Sequence, residues 1–295
     1  MLIGLGAPVS GAWATPENLA GFTARAEELG YDSLWTFQRL LVGVADQLDT
    51  VYQSVLDPLL ALTFAAAHTS RIRLGVALVN MPFVSPVYLA KQAATLDVLS
   101  GGRLDLGLGV GWSSTEFRAT GADRARRGAR AAEYVRVLRT LWTDDPAEFA
   151  GEFYTVPPSR MRPRPVQAGG PPILLGGVVR PALERAGRLA AGWLSRSAHD
   201  LDGIAADIAV VRAAAPDPSA VRVVVRGVVR PGPRDGRLSG TYDDIRADTA
   251  WLAEQGVTEL YYDLNWVPGI GDPDVPAEKA TTLATEIAEA LAPRR

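Results

Sequence analysis

The residues able to do chemistry in this 295-residue sequence gather in a few short runs, each where a β-rich stretch gives way to a loop. They read Trp35-Thr36-Phe37-Gln38-Arg39, Ala77-Leu78-Val79-Asn80, Gly107-Leu108-Gly109-Val110-Gly111-Trp112, Gly176-Gly177 and Ser195-Arg196-Ser197. Glycine at the end of a strand lets a ligand approach the backbone, while hydroxyls, backbone amides and an arginine hold a phosphate. Taken together, these runs describe a binding place for an anionic ligand with a flat apolar body. Packing accounts for some of the same residues: Gly109 and Gly111 relieve crowding where a strand turns, and Trp35 and Trp112 suit a core as well as a mouth. Trp13, Phe37 and Trp266 share that ambiguity; if they reach the mouth, they favour an apolar or conjugated substrate.

Composition narrows the chemistry further. The chain has no cysteine, so thiol nucleophiles, thiolate metal sites and disulfides are excluded, and its two histidines, His68 and His199, are too few for a histidine-rich metal centre. His68 falls at a helix end and reads as structural. His199 precedes a helix and reads as solvent-facing, with a contact to a bound phosphate left open. The net charge of −3 provides no surplus of cations for a nucleic acid. Arg124, Arg126, Arg127 and Arg130 read as a solvated face, or as help for an anionic cofactor tail. The start, Met1-Leu2-Ile3-Gly4-Leu5-Gly6, has neither a basic leader nor a long apolar run, which leads to the expectation of a cytoplasmic protein that does not enter a membrane. Only Lys91 and Lys279 among 30 basic residues are lysine, a bias of GC-rich genomes such as those of actinobacteria.

The elements that must carry these runs alternate β with α along the whole chain. Strands are expected at 2–8, 33–37, 72–80, 104–109, 173–175, 192–195, 221–229 and 259–264. Helices are expected from Thr15-Pro16-Glu17 to Gly30, then at 57–68, 86–99, 126–142, 180–191, 201–214, 242–255 and 276–291. A polar loop is expected after the fourth strand, and the proline- and glycine-rich stretch 144–172 reads as an excursion with a hairpin near 149–156. Eight such units in one domain over 1–295 predict a closed (β/α)8 TIM barrel, whose working groups sit at the C-terminal ends of the strands. The rival is an open doubly wound sheet. Its fingerprint is incomplete here, since Gly4-Leu5-Gly6-Ala7-Pro8-Val9 lacks the third glycine and Pro8 disfavours direct entry into a helix.

The run from Ala94 to Trp112, Ala94-Thr95-Leu96-Asp97-Val98-Leu99-Ser100-Gly101-Gly102-Arg103-Leu104-Asp105-Leu106-Gly107-Leu108-Gly109-Val110-Gly111-Trp112, closely resembles the bacterial luciferase-like monooxygenase family, most of all its F420-dependent subgroup. Ala26-Glu27-Glu28-Leu29-Gly30-Tyr31-Asp32-Ser33-Leu34-Trp35, Gly151-Glu152-Phe153-Tyr154, Pro163-Arg164-Pro165-Val166-Gln167 and Ala191-Gly192-Trp193 extend the likeness along the chain. The resemblance implies an oxidoreductase that binds the deazaflavin F420 or, alternatively, FMN at the strand C-termini. It implies a non-prolyl cis peptide at Ala77-Leu78 behind the ring, Gly109, Val110 and Gly111 along the ring and ribityl chain, Gly176 and Gly177 along the ribityl chain and phosphate, and Ser195, Arg196 and Ser197 near the phosphate. Trp35 and Gln38, at the tip of the second strand, join the expected cofactor set.

One departure stands out. Where dehydrogenases of the subgroup often carry Asp-His, this chain has Gln38-Arg39, and arginine stays charged and makes a poor base. Arg39 is then expected to orient an anionic substrate or cofactor. Glu116 is the nearest carboxylate for acid–base work, or else a capping acid. The main expectation is hydride transfer between F420 and a small organic substrate. An FMN monooxygenase served by a flavin reductase, and a cofactor-binding barrel without catalysis, are the alternatives; family habit adds a homodimer.

Overall fold

A computed structural model describes residues 1–197 and 199–294. Eight parallel strands close into a barrel: β1 (Leu2–Gly6), β2 (Ser33–Thr36), β3 (Arg73–Asn80), β4 (Leu104–Gly109), β5 (Ile173–Gly176), β6 (Gly192–Leu194), β7 (Arg222–Gly227) and β8 (Glu259–Tyr262), with β1 paired to both β2 and β8. Around them run α1 (Pro16–Glu28), α2 (Pro58–Ala67), α3 (Pro86–Leu99), α4 (Ser114–Thr120), α5 (Arg127–Thr143), α6 (Arg180–Leu189), α7 (Ile204–Ala214), α8 (Tyr242–Glu254) and α9 (Ala277–Ala290). Local chemistry starts the helices. The Thr15 side chain accepts from Asn18 N with Pro16 next in line, Asp57 accepts from Leu59 N and Leu60 N, and Thr241 with Asp244 forms a reciprocal capping box. The apolar face of α1, Leu19, Phe22 and Ala26, is buried as its spacing predicts.

The barrel is expected from the sequence and found; the doubly wound rival is not. Differences are local. A short helix, α4, replaces the expected polar loop because Ser113 caps it through Glu116 N and Gly121, at φ +66°, ends it. The seventh strand stops at Gly227, not at 229, since Arg230–Pro231 leaves the barrel to pair with Ser239–Gly240. The sixth expected helix begins at Ile204 instead of 201, where Asp200 accepts from Asp202 N and holds a turn. The excursion does carry a hairpin, made by Ala147–Ala150 and Thr155–Ser159. Glu133, buried on α5, fastens it by accepting from the backbone N–H groups of Glu152, Phe153 and Tyr154.

The lower half of the barrel is plugged. At the floor Asp105 accepts from Arg73 and Arg222, Arg222 also donates to Glu259, and Glu259 accepts from Ser33 Oγ and Trp35 Nε1. Burial alone would raise the Asp105 carboxyl pKa, but the bonds from Arg73 and Arg222 outweigh it and hold the group below the usual range. Above this network Trp35 stacks on Tyr261 with centroids 5.2 Å apart. The space for the indole comes from Gly75, where an added Cβ would lie 2.4 Å from the Trp35 ring.

Candidate active site

At the C-terminal end of the strands lies a cleft of about 580 Å³, within the size range of small-molecule sites. Its floor is Leu78, flanked by the glycine-bearing tips of β4 and β5: Cβ atoms added at Gly109 and Gly176 would come within 2.9 and 2.6 Å of Leu78 Cδ1. The Ala77–Leu78 peptide is cis, as the resemblance implied, and the β3–β4 register shifts between Val76 and Val79. Leu78 lines the mouth, while Ala77 stays buried with Trp35 and Tyr261. Val110, Gly111, Gly177, Arg196 and Ser197 complete the set of expected residues that reach the cleft. Gly111 has φ +70°, and its N–H donates to Asn80 Oδ1 at 3.1 Å, tying the end of β4 to the end of β3.

Other expected site residues lie elsewhere. Trp35 is 1% exposed and its N–H is spent on Ser33 and Glu259, so it supports the site from below. Gln38 lies behind the cleft, accepting from Asn80 N at 2.8 Å and Asn80 Nδ2 at 3.1 Å. Ser195 is buried, and its hydroxyl accepts from Arg226 N at 3.0 Å, which turns it toward β7; it is not among the residues that line the cleft. Arg39 and Glu116 form a buried ion pair, Nη1 to Oε2 2.9 Å, and Glu116 Oε1 accepts from Leu40 N at 2.8 Å. The Glu116 carboxylate is thus engaged on both oxygens, and neither residue lines the cleft.

His199 is a further correction. Its side chain is 6% exposed, packed edge-on against Trp193 and 3.1 Å from Asp207, because the turn before α7 folds it inward. Burial lowers its pKa more than Asp207 raises it. His68 stays exposed and contacts the Phe64 carbonyl, as a structural residue would. Arg126 and Arg130 pair with Glu152 and Asp123 on the surface, Arg127 donates to Gly111 O, and Arg124 lies over Phe117. Trp13 is wholly buried against Phe22.

The sequence reading missed Tyr52, Val178 and Leu194 as lining residues, named Asn80 only within a strand-end run, and left Trp112 undecided. Asn80 carried a usable signal, a polar residue at the tip of an apolar strand. Tyr52 carried none, since it arrives from the long segment between β2 and α2. A second buried ion pair was also missed: Arg226 donates to Asp263 at 2.7 Å, with Arg226 8% and Asp263 1% exposed. An arginine following Val223-Val224-Val225 in a barrel strand is the sign that could have found it.

A glycine-edged cleft at the top of a plugged parallel barrel defines a class of small-molecule enzymes. The family model for luciferase-like monooxygenases matches residues 3–261, and the chain belongs to that family, an oxidoreductase family. An uncharacterized protein of Mycobacterium tuberculosis (strain ATCC 25618 / H37Rv) is 33% identical over 251 residues, covering 85% of this chain and 81% of the relative. An FMNH(2)-dependent dimethylsulfone monooxygenase of Pseudomonas putida is 34% identical over 167 residues, 55% of this chain and 46% of that protein. Among solved structures, the coenzyme F420-dependent tetrahydromethanopterin reductase of Methanopyrus kandleri superposes with a TM-score of 0.72 at 18% identity, covering 96% of this chain and 97% of that one, a likeness of fold. Among the described residues no helix is long and apolar enough to cross a membrane, and no cluster of three or more His, Asp or Glu could hold a metal ion.

Proposed function

We propose that the protein is an F420-dependent oxidoreductase of the cytoplasm, transferring a hydride between the deazaflavin and a small organic substrate. The observation that carries this reading is the cleft itself: an apolar floor at Leu78, edges at Gly109 and Gly176, whose missing side chains leave room for Leu78, and a polar end at Gly177, Arg196 and Ser197. A planar ring fits against Leu78 between those edges, with Val110 and Gly111 along it. A phosphate fits the polar end. There Val179, the N-cap of α6, gives no side-chain cap, which leaves the positive end of that helix available to an anion. Arg196 is exposed and has no carboxylate partner among the described residues, so its charge is free for the same anion. The cofactor, when bound, gives or takes the hydride.

The protein's share is placement and exclusion of water. Leu78 and Leu194 keep the inner end of the cleft apolar, and the Gln38–Asn80–Gly111 chain of hydrogen bonds fixes the loop that runs along the ring. The Pseudomonas relative favours a second reading, with FMN as the cofactor, oxygen as co-substrate and a flavin reductase as supplier. A homodimer belongs to the same proposal; the exposed Leu60 and Phe64 of α2 offer it an apolar face. Titration of the purified protein with F420 and with FMN, followed by fluorescence quenching, tests the choice. Saturation by F420 alone supports the first reading, saturation by FMN alone the second, and binding of neither removes both.

A further inference from the structure

Beside the cleft stands a wall of rings and guanidinium groups. Arg39 lies between two rings that line the cleft, its central carbon 4.6 Å from the Tyr52 centroid and 4.5 Å from that of Trp112. Tyr52 meets Trp266 edge-on at 5.5 Å, and Arg226 sits 4.0 Å over Trp266. Glu116 in turn holds Arg39, as Asp263 holds Arg226. Each cation therefore has its own buried carboxylate, and the wall carries no net formal charge.

Trp112 is nevertheless 52% exposed. An indole fixed face-on to a guanidinium and half open to a cleft offers a rigid apolar plane that a flat ligand can cover. We propose that the Tyr52–Trp112 wall receives a flat, conjugated, uncharged substrate, and that Arg39 and Glu116 are positioning residues that hold the wall. A carboxylate-bearing substrate would find both arginines of this wall buried and already paired, by Glu116 and Asp263, and would gain little. The lining cation without a carboxylate partner among the described residues, Arg196, follows β6, on the side assigned above to the cofactor phosphate. The inference rests on the cofactor reading for which part of the cleft is left to the substrate.

Three probes test it, bound to protein saturated with whichever of F420 or FMN it takes up: naphthalene-2-carboxamide, naphthalene-2-carboxylate and decahydronaphthalene-2-carboxamide. Calorimetry is expected to show the flat amide binding about tenfold tighter than either the charged or the saturated analogue, the scale of one good aromatic contact. Trp112→Leu is expected to erase the preference for the flat amide over the saturated one. The double variant Arg39→Met with Glu116→Gln is expected to reduce that preference while leaving cofactor affinity unchanged, whereas a purely structural role would weaken all ligands together. Equal binding of the three probes, tighter binding of the carboxylate, no binding of any probe, or a Trp112→Leu protein that keeps the preference overturns the proposal. Should neither cofactor bind, the same probes are run on the free protein, so the two readings fail separately.

Discussion

Replacing Glu116 by glutamine isolates the contribution of the buried pair at the mouth. Glutamine keeps an oxygen able to accept from Leu40 N, which now binds Oε1 at 2.8 Å, and removes only the charge opposite Arg39. Arg39, with its side chain 4% exposed, is then a buried cation without its carboxylate. Breaking a buried pair from one side costs 3–5 kcal/mol, and the retained hydrogen bond places Glu116→Gln at the low end, ~3 kcal/mol. At about 2 °C per kcal/mol for a large domain, the melting temperature is expected to fall by about 6 °C. Removing both charges with Arg39→Met and Glu116→Gln is expected to recover most of this loss, since no unpaired charge stays buried. Urea unfolding followed by circular dichroism, run as a double-mutant cycle, reads both effects. A single variant that loses less than about 1 kcal/mol, or a double variant whose loss is the sum of the two singles, refutes the reasoning.

Other perturbations follow from the same geometry. Gly176→Val should lower cofactor affinity at least about tenfold, because even its Cβ would lie 2.6 Å from Leu78 Cδ1 and drive that side chain into the ring's place; fluorescence titration reads it, and unchanged affinity would remove Leu78 as the floor. Ser195→Ala should cost about 1–2 kcal/mol of stability by leaving Arg226 N unsatisfied, yet leave cofactor affinity alone; a large affinity loss would restore Ser195 to the phosphate. Glu27 accepts from the backbone N–H groups of Ser70, Arg71 and Ile72. Burial pushes its pKa up, but those three donors prevail and hold it at about 2. A carboxyl with a lowered pKa stabilises the fold above its ordinary pKa of about 4.5 and ceases to as the pH falls through about 2. Glu27→Gln is therefore expected to cost about 2 kcal/mol near neutrality, with the gap to wild type closing as pH falls across that window in urea titrations.

The barrel was legible because its signals are local and repeated. Thr15-Pro16 and Asp57-Pro58 mark helix starts without reference to any neighbour, and the Val-rich β7 could hardly be anything but a buried strand. The glycine tips Gly109–Gly111 and Gly176–Gly177 were legible for a related reason, since a residue without a side chain at a strand end signals a close approach wherever the strand lies. Direction is what the sequence withheld. Ser195 and Ser197 are two residues apart with the same hydroxyl, yet one bonds the neighbouring strand and the other lines the cleft. Likewise, Arg39 and Glu116 are 77 positions apart, and nothing in either neighbourhood says that they neutralise each other. Tyr52 reaches the mouth on a long irregular segment whose path is set by tertiary contacts, among them the bond from Ser10 Oγ to Val51 O.

The plug of Trp35, Tyr261 and the ion-paired floor makes the barrel a vessel with one opening. If the proposed ring rests on Leu78, it would be seated before a substrate could lie over it. Product would then leave before that ring could be exchanged. On the proposed reading, binding order would then be imposed by a handful of side chains at the opposite end of the barrel.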